Sequence, residues 1–227
     1  MIKAVVFDLD DTLYDEIDYC RSGFRAVAAY LTERTGHSQS QPFFESFRKH
    51  FKSGERTRIF NISLEELGIS FDNQLIKELV EVYRTHQPDI HLPSESREIL
   101  DTLQKKYTLA MLTDGFLPAQ RLKVKALGIE DYFKCIIYTE ELGRDAWKPS
   151  TAGFEKLISV LNIPAEHTAY IADNLKKDFI APNKLGMLTI QLIRPLRVHT
   201  EISKDPQSQP DKVIKNINEL PLLLETL

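Results

Sequence analysis

The residues of this sequence best suited to chemistry are four carboxylates, Asp8, Asp10, Asp173 and Asp178, with the Thr113 hydroxyl and the Lys148 ammonium. Asp8, Asp10 and Asp11 fall within four positions, directly after the β-rich run Lys3-Ala4-Val5-Val6-Phe7. Carboxylates packed this closely repel, so a cation is expected among them. Extended geometry past Phe7 would put the Asp8 and Asp10 side chains on one side, where they can share one hard cation and one substrate. A carboxylate is ionised at neutral pH and can attack phosphorus without a general base, provided its repulsion from the phosphate is removed. Mg²⁺ removes it, and its preference for one or two carboxylates, several waters and a phosphate oxygen fits a site built from Asp8 and Asp173. Lys148 and Thr113 suit the remaining phosphoryl oxygens, where charge builds during transfer. Asp10, too far along the chain for in-line attack, is placed to protonate the leaving oxygen and then to activate water. The sequence has no GxxxxGK[ST], GxGxxG, HExxH or GxSxG motif, so nucleotide cradles, zinc hydrolases and serine esterases lack their signatures.

The elements that must position these groups follow from periodicity. Beyond residue 94, short β-branched runs alternate with helical stretches at βαβ spacing. Strands are expected at Thr108 to Thr113, Cys135 to Tyr138, Thr168 to Ala172 and Met187 to Leu192, with helices near 94–105, 117–127, 150–161 and 176–185. With the first strand this gives an α/β fold, a Rossmann-like parallel sheet of at least five strands covered by helices on both faces. Ligands of such sheets bind beyond the carboxyl ends of the strands. Asp8 and Asp10 follow the first strand, Thr113 and Asp114 close the second, and Asp173 follows the fourth. Residues 16–93 break the alternation with three helical stripes: Phe24, Val27, Ala28 and Leu31; Phe43, Phe44, Phe47 and Phe51; Leu75, Ile76, Leu79, Val82 and Tyr83. Ser63-Leu64-Glu65-Glu66 reads as a capping box opening a short helix that Gly68 ends. The expected organisation is a catalytic core of residues 1–15 and 94–227 and an all-helical cap of residues 16–93, hinged near 15–18 and 88–94. Arg194 to Lys212 reads as an extended loop before a last helix containing Leu220 and Leu222 to Leu224.

On these motifs the chain resembles the haloacid dehalogenase-like hydrolase superfamily and, by its helical insert after the first strand, the C1-capped phosphatases within it. The first motif, DxDx[TV]L, stands as Asp8-Leu9-Asp10-Asp11-Thr12-Leu13; the second as Leu112-Thr113-Asp114-Gly115; the lysine motif as Trp147-Lys148-Pro149; and the fourth, of GDxxxxD type, as Ala172-Asp173-Asn174-Leu175-Lys176-Lys177-Asp178. The resemblance implies that Asp8 is the phosphoryl-accepting nucleophile and Asp10 the acid and base. It implies Mg²⁺ held by the Asp8 carboxylate, the Asp10 backbone carbonyl and Asp173, with Asp178 either a further ligand or an outer group. Thr113, Asp114 and Lys148 become the substrate-binding residues. Two departures are Ala172 where Gly is usual, and a long approach from Gly143 to Trp147 before the lysine. Dehalogenases of this fold lack the second aspartate, because halide leaves without a proton, so Asp10 argues against dehalogenation. Phosphonatases carry a smaller residue there and a cap lysine.

The expected activity is therefore hydrolysis of a small phosphorylated metabolite through an aspartyl-phosphate. Its alternatives are a phosphomutase or phosphotransferase, and a non-enzymatic module holding a phosphoaspartate or binding a partner. At 227 residues, 42% hydrophobic and 27% charged, the composition is that of an ordinary soluble globular protein, and a net charge of −4 offers nothing to nucleic acid or an anionic membrane. Cys20 and Cys135 have no metal or disulfide spacing and read as buried thiols. A strand stands where a targeting segment would, so the cytosol is the expected location, as a monomer or homodimer. Lys49, Lys52, Arg56 and Arg58 around Ser53-Gly54-Glu55 read as a solvated basic turn in preference to an anion-facing loop. Tyr14, Asp15 and Arg21 lie near the hinge, Asp11 reads as a turn cap, Trp147 as a packing residue, and His86 and His91 as exposed.

Overall fold

The computed structural model describes residues 1–226. In chain order the strands are β1 (Ala4–Phe7), β2 (Thr108–Thr113), β3 (Ile136–Tyr138), β4 (Thr168–Ala172), β5 (Leu188–Leu192) and β6 (Lys212–Ile214). The helices are α1 (Glu16–Thr35), α2 (Gln41–Lys52), α3 (Ile59–Glu66), α4 (Asn73–Thr85), α5 (Ser94–Leu103), α6 (Ala119–Leu127), α7 (Ala152–Leu161), α8 (Ile180–Leu185) and α9 (Leu220–Glu225). The chain divides into two compact units, Asp18–Ile90 and the remainder on either side of it.

In the larger unit all strands run parallel in the order β3-β2-β1-β4-β5-β6, an α/β Rossmann-like sheet. β1 is the run Ala-Val-Val-Phe, buried on both faces, which only a central strand covered by helices on both sides allows. One face packs Val6, Ala110, Leu112, Tyr170 and Ala172 against Phe154 and Leu157 of α7 and Ala181 of α8. The order reverses between β1 and β4, whose registers pair Phe7 with Ile171. That reversal opens a crevice at the carboxyl ends of these two strands. Ala172, the residue where glycine is usual, is ordinary buried strand paired with Gln191.

β6 was not expected, because Lys212-Val213-Ile214 is too short to show alternation and exposes its first two residues at the sheet edge. α8 starts four residues later than its periodicity implied, because Asp173 to Phe179 forms a turn in which the Asp178 amide donates to the Asn174 carbonyl at 3.0 Å.

The smaller unit has an aromatic interior. Phe24 of α1 packs against Phe47, Phe51 and Tyr83 at ring separations of 5.7–6.0 Å, and Phe47 meets Phe60 edge-on at 5.1 Å. Gly23 makes room for this: a Cβ there would stand 2.4 Å from the Tyr83 ring. Ser63 does not open a helix. It lies inside α3 and is fully buried, because the apolar pair Ile59-Phe60 draws the helix start four residues upstream. Gly68 does follow its end, at φ +67, a conformation that a side chain disfavours, and the Ile69 amide closes back on the Leu64 carbonyl at 2.9 Å. The true side-chain N-cap of this unit is Asp72, which accepts the Leu75 amide at 2.8 Å. His86 is half-buried, sharing hydrogen bonds with the Tyr83 carbonyl and the Ser22 hydroxyl. Cys20 is buried, whereas Cys135 is only half-buried, with burial still raising its thiol pKa. Among the described residues no helix is long and apolar enough to cross a membrane.

Candidate active site

The carboxyl ends of β1, β2 and β4 and the loop before α7 deliver the charged groups. The Asp8 amide still joins the ladder, donating to the Ile171 carbonyl at 2.9 Å, so Asp8 is fixed by β1 although its side chain stands beyond it. Asp173 is fixed likewise at the end of β4, its carbonyl accepting from Gln191 at 2.8 Å. Oxygens of Asp8, Asp173 and Asp178 all lie within 4.8 Å of one another, and all three residues are buried. Lys148 bridges two of them, its Nζ 2.6 Å from Asp8 and 2.7 Å from Asp178, and it also donates to the Tyr170 hydroxyl at 3.0 Å.

Three carboxylates against one ammonium leave an imbalance, which the acidities register. Burial, then Asp178 and Asp8, push Asp173 up to about 10. Burial raises Asp8 to about 7 against the pull of Lys148. Burial works to strip Lys148 of its proton, but Asp178 and Asp8 outweigh it and hold Lys148 charged. The desolvation cost therefore falls on the carboxylates, and one Asp173 oxygen, Oδ2, is buried with no hydrogen-bond partner among the described residues. An orphaned oxygen beside two further buried carboxylates is a donor set that suits a hard divalent cation.

Asp10 is not part of this group. The chain leaves extended geometry after Asp8 and turns at Asp11, whose φ is +54, so the two side chains take different partners. The Asp10 carboxylate accepts from the Tyr14 hydroxyl at 2.5 Å, from Gln120 at 2.9 Å, and from Lys123 with both oxygens at 2.8 and 2.9 Å. Burial would raise its pKa, but Lys123 first, then the Tyr14 and Gln120 hydrogen bonds, leave it below the usual carboxylate range. Asp11 is the turn cap, accepting the Glu16 and Val198 amides at 2.8 and 2.5 Å.

Thr113 is buried at the end of β2, and its hydroxyl accepts from Gln120 at 2.7 Å. Gly115, at φ +145, lets the chain pass Gln120, since a Cβ there would stand 2.7 Å from the amide carbon. Asp114 is saturated by protein donors: Thr139 at 2.8 Å, the Lys148 amide at 3.2 and 3.3 Å, and Lys177 at 3.3 Å. It anchors the Lys148 loop. The long approach to Lys148 is taken up by short 3-10 turns at Thr139–Leu142 and Arg144–Ala146, and Trp147 packs on Phe116 while donating to Glu140.

In the basic turn, Lys49 pairs with Glu66 and Arg56 lies over the Phe51 ring, 4.0 Å from its centre, so these two charges are used locally. Asp15 pairs with Arg194 at 2.6 Å and Arg21 with Asp18 at 2.9 Å.

Sequence reasoning missed Gln120, Lys123, Tyr170 and Lys177. A signal for the first two existed: three apart in α6, they share its buried stripe with Ala119, Val124 and Leu127, where long polar residues have no place without partners.

A sheet that gathers an acidic triplet, a buried lysine and a strand-end threonine at its switch point defines the class. The haloacid dehalogenase-like hydrolase model matches residues 2–186, and the chain belongs to that family of hydrolases. Its curated relatives include glyceraldehyde 3-phosphate phosphatase of Methanopyrus kandleri, 28% identical over 86% of this chain and 85% of the relative. Among solved structures it is similar to 2-haloacid dehalogenase from Pseudomonas syringae pv. Tomato DC3000, with TM-score 0.68 and 26% identity over 100% of this chain and 99% of that one. It also shares the fold of the HAD-hydrolase YfnB from Bacillus subtilis bound to magnesium, with TM-score 0.67 and 22% identity over 98% of both chains.

Proposed function

We propose that the protein is a Mg²⁺-dependent phosphatase that hydrolyses a small phosphomonoester through an aspartyl-phosphate on Asp8. The observation that carries this reading is the convergence of Asp8, Asp173 and Asp178 within 4.8 Å around a buried lysine, with an Asp173 oxygen left without a partner. Asp8 and Asp173 would hold Mg²⁺, joined by the Asp10 backbone carbonyl as the family resemblance implies. Asp178 stands behind them, because its oxygens already face Lys148 at 2.7 Å and the Asn174 amide at 2.8 Å. When bound, the ion would neutralise the repulsion between the Asp8 carboxylate and the substrate phosphoryl group.

The chain's own groups then account for both half-reactions. An Asp8 oxygen attacks phosphorus, the bond from phosphorus to the leaving oxygen breaks, and Lys148 and Thr113 hold phosphoryl oxygens that gain charge. Asp10, entering this step protonated, gives its proton to the leaving oxygen and is left as the carboxylate to which Tyr14, Gln120 and Lys123 donate. Water then attacks phosphorus, Asp10 takes the water's proton, and the bond from phosphorus to Asp8 breaks. An ionised Asp10 suits this second step.

The resemblance to a 2-haloacid dehalogenase favours a second reading, attack of Asp8 on a carbon bearing halide. Asp10 weighs against it, since halide departs without a proton and four donor contacts to a second aspartate would then have no task. We assign substrate selection to the inserted helical unit, which enters the chain directly after the Asp8 to Asp10 turn. The test is a phosphate-release screen with Mg²⁺ over sugar, acyl, nucleoside and glycolytic phosphates, alongside 2-haloacids, with Asp8→Asn as blank. Phosphate release that survives in Asp8→Asn would remove the covalent step, and halide release without phosphate release would replace the reading.

A further inference from the structure

Lys123 and Gln120 are long polar residues on the apolar stripe of α6. In the structure Lys123 is 4% exposed and Gln120 2%, a placement that lysine adopts only against a committed partner. That partner is Asp10. Lys123 spans both carboxylate oxygens, Gln120 ties one of them to the Thr113 hydroxyl, and Tyr14 holds the other from within the same loop. A carboxylate gripped on both oxygens by groups from α6 and the β1 loop cannot rotate freely, so its position relative to the phosphoryl site is set by α6.

We propose that Lys123 is the positioning residue for Asp10, fixing that carboxylate so that it meets the leaving oxygen of the substrate and later the attacking water. Gln120 couples this placement to Thr113, so the acid/base group and a phosphoryl-binding hydroxyl move as one piece. The inference rests on the phosphatase reading and on Asp10 as its acid and base. It makes a claim that packing alone does not: the value of Lys123 depends on how much the leaving oxygen needs a proton.

The experiment compares kcat/KM, which reports steps up to phosphoryl transfer, for p-nitrophenyl phosphate and a simple alkyl phosphate such as glycerol phosphate. A nitrophenolate leaves readily unprotonated and an alkoxide does not. Lys123→Met should lower kcat/KM about 100-fold or more on the alkyl ester, the low end of what a general acid contributes, and under about 3-fold on the aryl ester. Asp10→Asn should show the same asymmetry, and the Lys123→Met, Asp10→Asn double variant should lose little beyond Asp10→Asn, as expected for groups acting as one unit. Tyr14→Phe, which removes one donor and keeps the ring, should repeat the pattern at smaller size if Lys123→Met does not fold. Equal losses on both esters in whichever variant folds, or full additivity with Asp10→Asn, would overturn the assignment while leaving the phosphatase reading intact. Absence of phosphate release by the wild type would overturn both, and no asymmetry in Asp10→Asn would overturn Asp10 as the acid and this inference with it.

Discussion

The edge of the sheet and the interior of the helical unit are both buried, yet they treat charge in opposite ways. At the sheet edge, carboxylates sit where burial disfavours them: Asp173 is pushed up to about 10, and Asp8, Asp11 and Glu16 to about 7, with burial the leading cause in each. In the helical unit the interior is aromatic and the carboxylates stay outside, where Glu55 and Glu66 fall to about 2 through hydrogen bonds from local amides and from Lys49 and His50. One region holds its charges against the cost of burial, a pattern common at reacting centres, and the other keeps its charges at the surface around an aromatic interior.

The strongest way to break this contrast is to remove charge at the edge. On an alkyl phosphate, Asp8→Asn and Asp10→Asn should each cut turnover by about 10³-fold or more while the protein still folds, read by phosphate release and thermal melting. Residual turnover near wild type in either would mean the edge is not the reacting centre.

Next in size is the response of the edge to metal and pH. Its raised carboxylates keep protons that the unfolded chain releases, so the folded state binds more protons, and metal-free stability should fall as pH rises from about 4 through 7 and on towards 10. Mg²⁺ should raise the melting temperature and flatten that slope by replacing protons. Asp173→Asn should abolish the Mg²⁺ shift and flatten the metal-free slope, both visible in melts across pH with and without EDTA. A wild-type slope of the opposite sign would refute the account of the edge. For Glu55 and Glu66 the sign reverses: their contribution is present above about 4.5 and lost as pH falls towards 2. Solvent exposure keeps it small.

The helical unit should fail through shape instead. Gly23→Ala places a Cβ 2.4 Å from the Tyr83 ring and should cost about 1–3 kcal/mol in denaturant unfolding, with no loss of turnover per folded molecule. The smallest effect separates two residues that look alike in sequence. Asp72→Ala should cost about 1 kcal/mol as a lost N-cap, whereas Ser63→Ala should be neutral within about 0.5 kcal/mol, because its buried hydroxyl has no partner among the described residues.

How legible these features were depended on their range. Thr108 to Thr113 and Thr168 to Ala172 match β2 and β4 residue for residue, because central parallel strands are continuous apolar runs with polar residues at their ends. Lys212 to Ile214, the outermost strand β6, offered too few residues to register. Ser63 illustrates the opposite failure: a local motif was present, and the packing of Ile59 and Phe60 decided where the helix began.

The sequence by itself determined which residues could do chemistry and that they would meet at one side of one sheet, since a strand ending in a carboxylate must present it at that edge. Only the tertiary structure decided how those residues are shared out. Asp8 and Asp10, two apart, part company at the Asp11 turn; Asp8 joins Asp173 and Lys148, more than a hundred positions away, and Asp10 goes to Lys123. Partnerships between buried charges are settled by desolvation and by distances across the fold, and neither can be read from spacing along the chain.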